Sequence, residues 1–162
     1  MKQYTYLLTL IISISLLFGC GKNTTIQVAK NNLLEISVVN NDQALWQYTV
    51  LKTGKTYNFT PPKFEIDGKL ISAKLSQPEL DGSSKKLING VTEYKVKGSI
   101  SAIPDIKLRI LYRVAENNPV VKFQYELSSA STHKMTKTNG HDRIDYFKVS
   151  FNGLSDVKEI RF

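Results

Sequence analysis

The fold of this chain is decided by the stretch IKLRILYRVAENNPVVKFQYELS, which runs from Ile106 to Ser128. Apolar and polar residues alternate through both halves, a pattern typical of β-strands with one buried face. Residues 116–119 (Glu-Asn-Asn-Pro) are turn formers that separate the halves, so the stretch predicts an antiparallel hairpin. If Ala115 pairs with Val120, the predicted rungs are Val114–Val121, Tyr112–Phe123, Ile110–Tyr125 and Leu108–Leu127 on the buried face, with Arg109–Glu126 and Arg113–Lys122 outside. A slip of one residue would turn an apolar face towards water, so the pattern also predicts the register.

This hairpin needs a second layer over its apolar face, because a two-stranded hairpin alone is marginally stable at best in water. The remaining sequence supplies short alternating runs separated by turn residues, and no run has helical periodicity over three turns. Further strands are predicted over 34–38, 44–51, 56–60, 64–66, 69–76, 91–101, 144–151 and 157–162, with a short one possible at 26–28. Two-residue hairpin turns are predicted at Asp67-Gly68 and Asn89-Gly90, and polar loops over 77–86 and 128–142. Residues 33–162 are therefore predicted to form an all-β, antiparallel β-sandwich.

The N-terminus has the pattern of a processing segment. Lys2 precedes an apolar run from Leu7 to Phe18 that is short for a membrane span, and Gly19-Cys20 follows. This resembles the bacterial lipoprotein signal, in which the cysteine is lipidated and becomes the mature N-terminus. We therefore expect a signal peptide over 1–19, lipidation of Cys20, and a tether over 20–32. An ordinary secretory signal and a transmembrane anchor are the alternatives.

The expected location is the bacterial cell envelope, with the chain anchored to a membrane by its lipid. In a Gram-negative cell this means the outer membrane or a periplasm-facing position, and Gly21 after the cysteine favours the outer membrane. The formal charge is +8, but the basic residues are scattered and Lys85-Lys86 is the one adjacent pair. A nucleic-acid partner is therefore not predicted, since such proteins cluster their basic residues.

The sequence contains few candidates for chemistry, and it predicts no cofactor and no metal site. His133 and His141 lie in one polar loop, where solvated histidines are commoner than metal ligands. The carboxylate pairs Glu65/Asp67 and Asp142/Asp145 lie at or beside predicted turns, where acidic residues commonly make local hydrogen bonds. Trp46 is the one candidate for stacking against a sugar, although its alternation with Tyr48 and Val50 favours the core.

Several stretches together resemble the N-terminal β-sandwich of bacterial α-galactosidases of the melibiase and raffinose-synthase group. They are Ala44–Gln47, Tyr57–Gly68, Asn89–Tyr94, Leu111–Val114 and Pro119–Leu127. The resemblance implies a supersandwich of the galactose-mutarotase type, preceding a catalytic (β/α)-barrel that carries two aspartates. No residue here matches either aspartate, so the resemblance implies no activity for this chain alone.

Two function hypotheses follow from these observations. The first is a non-catalytic N-terminal domain, a fragment ending mid-strand at Ile160–Phe162, of an exported α-galactosidase-like glycoside hydrolase in carbohydrate metabolism. Its partners would be a catalytic barrel and galactoside-containing oligosaccharides. The second is a complete small lipoprotein that binds glycan or a partner protein through the sandwich, with Trp46 as the candidate platform. A purely structural envelope lipoprotein is a third option.

Overall fold

The computed structural model describes residues 25–41, 43–137 and 146–150, and nearly all of their regular structure is β-strand. The strands are β1 (Ile26–Lys30), β2 (Leu34–Val38), β3 (Trp46–Val50), β4 (Lys55–Phe59), β5 (Lys63–Ile66), β6 (Lys69–Ser72), β7 (Leu75–Leu80), β8 (Lys85–Lys86), β9 (Val91–Ile100), β10 (Ile103–Ala115), β11 (Val121–Ser129) and β12 (Val149–Ser150). A single 3₁₀ turn at Ile88–Gly90 connects β8 to β9.

Two five-stranded sheets and one small hairpin make up the part of the fold that the structure describes. The first sheet has the order β1-β2-β3-β4-β12, and the second has the order β11-β10-β9-β7 with β8 also paired to β9. β5 and β6 pair with each other as a separate two-stranded sheet. Every strand pair between the described elements is antiparallel. The prediction of an all-β, antiparallel sandwich is therefore confirmed.

The hairpin of β10 and β11 lies within the second sheet in the predicted register. All six predicted rungs are present, from Leu108 opposite Leu127 to Val114 opposite Val121, including both charged rungs. The hairpin ladder ends at Val114–Val121, one rung short of the predicted Ala115–Val120 pair, and Ala115 pairs with Val91 of β9 on its other side. The second layer that this hairpin requires is the first sheet, which packs over its apolar face.

The core lies between the two sheets, and aromatic rings join them near its centre. Trp46 of β3 stacks on Phe59 of β4 with ring centroids 3.7 Å apart, and contacts Tyr112 and Phe123 of the second sheet edge-on. The buried residues around them lie at alternating positions along their strands: Leu34, Ile36 and Val38 in β2, Val96 and Ile100 in β9, and Leu108, Ile110 and Val114 in β10. Side-chain alternation therefore identified the core-facing positions in β2 and β10.

Three local predictions need correction. The predicted polar loop over 77–86 instead contains most of β7 and all of β8. Gln77 has a positive φ of 48° and absorbs a register shift, after which Glu79 and Leu80 pair with β9 again. The predicted strand over 69–76 divides into β6 and β7, because the chain passes there from the small hairpin to the second sheet. The Asn89-Gly90 turn is one residue longer than predicted, since Leu87 and Val91 close it.

Several predictions fall at the edges of the described residues or outside them. The signal peptide over 1–19, Cys20 and the last strand over 157–162 lie outside. Of the strand predicted over 144–151, residues 146–150 are described, and Val149–Ser150 form β12. β1 pairs with β2, so the first sheet already begins within the predicted tether over 20–32.

Candidate functional site

The strongest polar constellation in the described part of the chain is a histidine held between two carboxylates. His133 Nδ1 is 2.6 Å from Asp67 Oδ2, and His133 Nε2 is 2.8 Å from Asp105 Oδ2. Asp67 lies in the turn between β5 and β6, Asp105 lies near the start of β10, and His133 follows β11. We call these three residues the His133 site. Its imidazole joins three separate parts of the chain.

Asp67 is presented by the tight turn of the β5–β6 hairpin. Asp67 and Gly68 have φ values of 52° and 75°, a combination typical of a two-residue hairpin turn, and one that aspartate tolerates and glycine favours. The prediction of a turn here is confirmed. The turn leaves the Asp67 carboxylate at the surface, where it can meet the chain returning from β11.

Residues 131–136, which we call the cross-segment, run alongside this hairpin and carry His133. The Asp67 N–H donates to the Lys134 carbonyl at 2.9 Å, and the Thr136 N–H donates to the Glu65 carbonyl at 2.9 Å. The Lys134 N–H donates to Asp67 Oδ1 at 2.9 Å, so both oxygens of that carboxylate are engaged. The cross-segment is thus anchored to the hairpin by its backbone, whereas His133 links it to β10.

The three charged groups of the site stabilise one another's ionised forms. Hydrogen bonds to Asp67 and Asp105 raise the pKa of His133 above its ordinary value. The hydrogen bond from His133 lowers the pKa of Asp67, and the Lys134 N–H adds to this effect. The pKa of Asp105 is lowered by His133 first and by the Ser131 side chain second. Because each ring nitrogen faces a carboxylate oxygen, the arrangement favours an imidazolium between two carboxylates, with a net charge of one negative unit.

This arrangement limits what His133 can do chemically. An imidazolium donates from both ring nitrogens, and here both nitrogens face carboxylates. No nitrogen lone pair is then available to accept a proton from a nucleophile or to bind a metal. Within the described ranges, no group of three or more His, Cys, Asp or Glu side chains is arranged to hold a metal ion. The site is therefore an ion-pair bridge that positions the cross-segment.

A groove of about 300 Å³ lies beside the bridge, between the cross-segment and the end of the second sheet. We call it the His133 groove. Its lining combines four apolar side chains with hydroxyl-bearing ones: Ile66, Ile106, Leu127 and Met135, then Ser128, Ser129, Ser131 and Thr132, with His133 at its side. A mixture of apolar surface and a few polar groups is characteristic of small-molecule sites.

A second hollow, of about 200 Å³, is lined by the end of β1, the turn before β9 and the end of β10. Lys30 and Lys86 line it together with Tyr94 and Glu116. Lys30 is already paired with Glu35 at 2.9 Å. This hollow is smaller than the His133 groove and contains no comparable cluster of mutually bonded charges.

The outer face of the second sheet carries a network of alternating charges. Arg109 bonds to Asp81 at 2.8 Å and to Glu126 at 3.2 Å, and Lys97 bonds to Asp81 at 2.9 Å. In the same sheet Glu93 is paired with Arg113 at 2.9 Å and with Lys95 at 3.3 Å. The hydrogen bond from Arg113 is the main cause of the lowered pKa of Glu93. Glu93 alternates with Tyr94 and Val96 along β9 and so lies on the outer face, but these long side chains cover it and leave its side chain 8% exposed.

The structure places the sequence-predicted candidates in different environments. Trp46 lies in the core with 1% of its surface exposed, and its indole N–H donates to the Tyr125 hydroxyl at 3.1 Å. Its rings have no accessible face for a sugar, so Trp46 is a core residue and not a platform for stacking. Asp67 bonds to His133 and not to a carboxylate partner. Cys20, His141, Asp142 and Asp145 lie outside the described residues.

No feature of the sequence singles out Asp105 as a member of the site. It follows Pro104 at the start of the long hairpin, where it has the pattern of a residue leading into a strand. The sequence indicates His133 and Asp67 only separately, as a loop histidine and a turn aspartate. Their meeting depends on the return path of the chain after β11.

Comparisons with known proteins found no relative of this chain. No family model matches the chain, and no curated protein or solved structure matches it. Among the described residues, no helix is long and apolar enough to cross a membrane.

Proposed function

We propose that this chain is the non-catalytic N-terminal β-sandwich of an exported α-galactosidase-like glycoside hydrolase, anchored to the cell envelope through a lipid on Cys20. The resemblance is concentrated in the hairpin of β10 and β11, which forms part of the second sheet and supplies much of the core. That hairpin contributes packing. In this proposal the sandwich supports a following catalytic barrel, and the barrel acts on galactoside-containing oligosaccharides.

The observation that supports a non-catalytic role is that the two carboxylates of the His133 site are both hydrogen-bonded to the same imidazole. Glycoside hydrolysis ordinarily needs two carboxyl groups free to flank the scissile bond, one as acid and the other as nucleophile or base. Asp67 and Asp105 instead bond to opposite nitrogens of one imidazole, at 2.6 Å and 2.8 Å. Both carboxylates have lowered pKa values, which makes them poor proton donors near neutral pH.

The proposal is tested by comparing this chain with the product of its extended reading frame. The full chain alone is expected to leave a chromogenic α-galactoside intact. A protein that continues past the Phe162 codon is expected to contain a barrel and to hydrolyse the substrate. Replacing either catalytic aspartate of that barrel should abolish hydrolysis. Hydrolysis by this chain alone, or a reading frame that encodes no barrel beyond Phe162, would contradict the proposal.

The envelope anchor is tested separately through the single cysteine of the sequence. Metabolic labelling with palmitate in a bacterial host should label the wild-type chain, and Cys20→Ser should remove the label. Fractionation should place the labelled chain with membranes. Equal labelling of Cys20→Ser would contradict lipidation at this residue.

A further inference from the structure

The His133 groove has an apolar floor of defined composition. Ile66 and Ile106 are almost fully buried, with 2% and 3% of their surface exposed, and Leu127 is partly buried beside them. Met135 lies opposite Ile66 in the bridge between β5 and the cross-segment, and 56% of its surface is exposed. Leu127 and Met135 therefore supply the accessible apolar surface of the groove, with Ile66 and Ile106 packed beneath it, and the methionine side chain is adaptable.

Hydroxyl groups line the groove around this floor, and the Asp67 and Asp105 carboxylates lie next to it, bonded to His133. Ser129, Ser131 and Thr132 contribute hydroxyls to the lining, and a hydroxyl can both donate and accept hydrogen bonds. The Asp67 and Asp105 side chains are 48% and 37% exposed, so each carboxylate faces solvent as well as His133. A carboxylate has about four lone-pair positions and can accept from a ligand hydroxyl while it accepts from the imidazole.

The local charge discriminates between classes of ligand. Two carboxylates and one imidazolium leave a net negative charge beside the groove, which disfavours an anionic ligand. The ion-pair bridge also holds the cross-segment in place before any ligand arrives, and a preorganised site binds with a smaller entropic cost. Neutral ligands with several hydroxyl groups satisfy these conditions.

We propose that the His133 groove is a binding site for a small, neutral, hydroxyl-rich ligand of the size of one sugar ring. The C–H face of the ligand would lie on Leu127 and Met135, the accessible apolar side chains of the groove. Its hydroxyls would bond to Ser129, Ser131 and Thr132 and, at the edge of the groove, to the carboxylates of the bridge. The volume of about 300 Å³ lies at the lower end of the range for small-molecule sites, as one ring requires. This inference concerns a site formed within the sandwich and does not depend on the proposed link to a catalytic barrel.

The test is an amide chemical-shift titration of the isotope-labelled full chain in detergent micelles. Glucose and galactose are the neutral probes, and glucuronate is the anionic comparator of the same ring size. A saturable shift at the amides of residues 128–135 is expected for at least one neutral sugar, with glucuronate binding at least threefold more weakly. Equal or tighter binding of glucuronate would overturn the proposal. So would the lack of a saturable shift in this segment at the highest soluble concentration of either sugar.

Two variants locate the binding site. Thr132→Val removes a lining hydroxyl from an exposed side chain and should weaken the binding of the neutral sugar by roughly threefold to tenfold. Thr49→Val makes the same chemical change in β3, where Thr49 bonds to Thr56, and should leave the affinity unchanged. Unchanged affinity in Thr132→Val, or equal loss in both variants, would refute the placement of the ligand in this groove.

Discussion

Replacing Tyr112 and Tyr125 by phenylalanine removes the same atom from opposite strands of the central hairpin, and the two changes should have opposite effects. Tyr112 is fully buried, and its hydroxyl has no hydrogen-bond partner among the described residues. The Tyr125 hydroxyl accepts a hydrogen bond from the Trp46 indole N–H at 3.1 Å. Burial raises the pKa of both tyrosines, so both hydroxyls stay neutral under ordinary assay conditions.

The magnitudes follow from the cost of a buried polar group without a partner, which is about 1–3 kcal/mol. Tyr112→Phe removes such a group, and should raise the free energy of unfolding by about 1–2 kcal/mol. Tyr125→Phe creates one, because Trp46 is 1% exposed and its N–H would lose its partner inside the core. This second change should lower the free energy of unfolding by about 1–3 kcal/mol.

The assay is urea unfolding followed by far-ultraviolet circular dichroism and by the fluorescence of Trp46, the single tryptophan of the sequence. With a urea dependence of about 1–3 kcal/mol per molar, the two variants should differ in midpoint by roughly 1 M or more. The wild type should lie between them. If Tyr112→Phe lowered the midpoint as much as Tyr125→Phe does, the Tyr112 hydroxyl would have a partner in solution, such as a buried water, and this reasoning would fail.

Three further predictions concern the His133 site, the charged sheet face and a close backbone contact. The raised pKa of His133 stabilises the folded state fully below about pH 6.5, and this contribution is lost as the pH rises through the folded-state pKa. The lowered pKa values of Asp67 and Asp105 stabilise the folded state fully above about pH 3.8, and this contribution is lost as the pH falls through their folded-state pKa values. The urea midpoint of the wild type should therefore exceed that of His133→Gln most clearly between roughly pH 4 and 6.5, and a difference that increases at alkaline pH would contradict the ion-pair bridge. Arg113→Ala should lower the free energy of unfolding by about 1–2 kcal/mol, because it removes the main partner of Glu93, whose side chain is 8% exposed. Arg109→Ala should cost less than about 1 kcal/mol, because its partners Asp81 and Glu126 are 19% and 38% exposed. Equal losses in urea unfolding would refute the distinction. Gly98→Ala would place a Cβ 3.1 Å from the Ser76 carbonyl oxygen and 3.3 Å from the Leu75 side chain, so it should lower the free energy of unfolding by about 1–3 kcal/mol in thermal unfolding. The control Ser99→Ala should have little effect. A Gly98→Ala variant as stable as the wild type would show that β7 can move away.

Much of the fold could be predicted from local pattern alone. The register of β10 and β11 follows from alternation within one stretch, because a strand exposes successive side chains on opposite faces and only one pairing buries both apolar sets. The turn at Asp67-Gly68 was equally readable, since few residues adopt two successive positive φ values. These features depend on neighbours in the sequence or on one adjacent strand.

Predictions failed where a residue's surroundings come from a distant part of the chain. The polar composition of 77–86 indicates a loop, but β9 offers an unpaired edge to which β7 and β8 bond through their backbones. Backbone pairing of this kind needs no apolar side chains, so composition does not reveal it. Glu93 is similar, because the side chains that cover it, Arg113 and Lys95, come partly from the neighbouring strand.

The sequence by itself determined the fold class, the central hairpin and the core-facing positions of β2 and β10, because side-chain alternation is a local property that only one sheet geometry satisfies. The tertiary structure decided which polar residues meet. Asp67, Asp105 and His133 belong to a turn, a strand and a cross-segment, and the packing of those three parts brings their charges within hydrogen-bond distance. It also decided that Trp46 is a core residue, because its surroundings come from Phe59, Tyr112 and Phe123 on strands of both sheets.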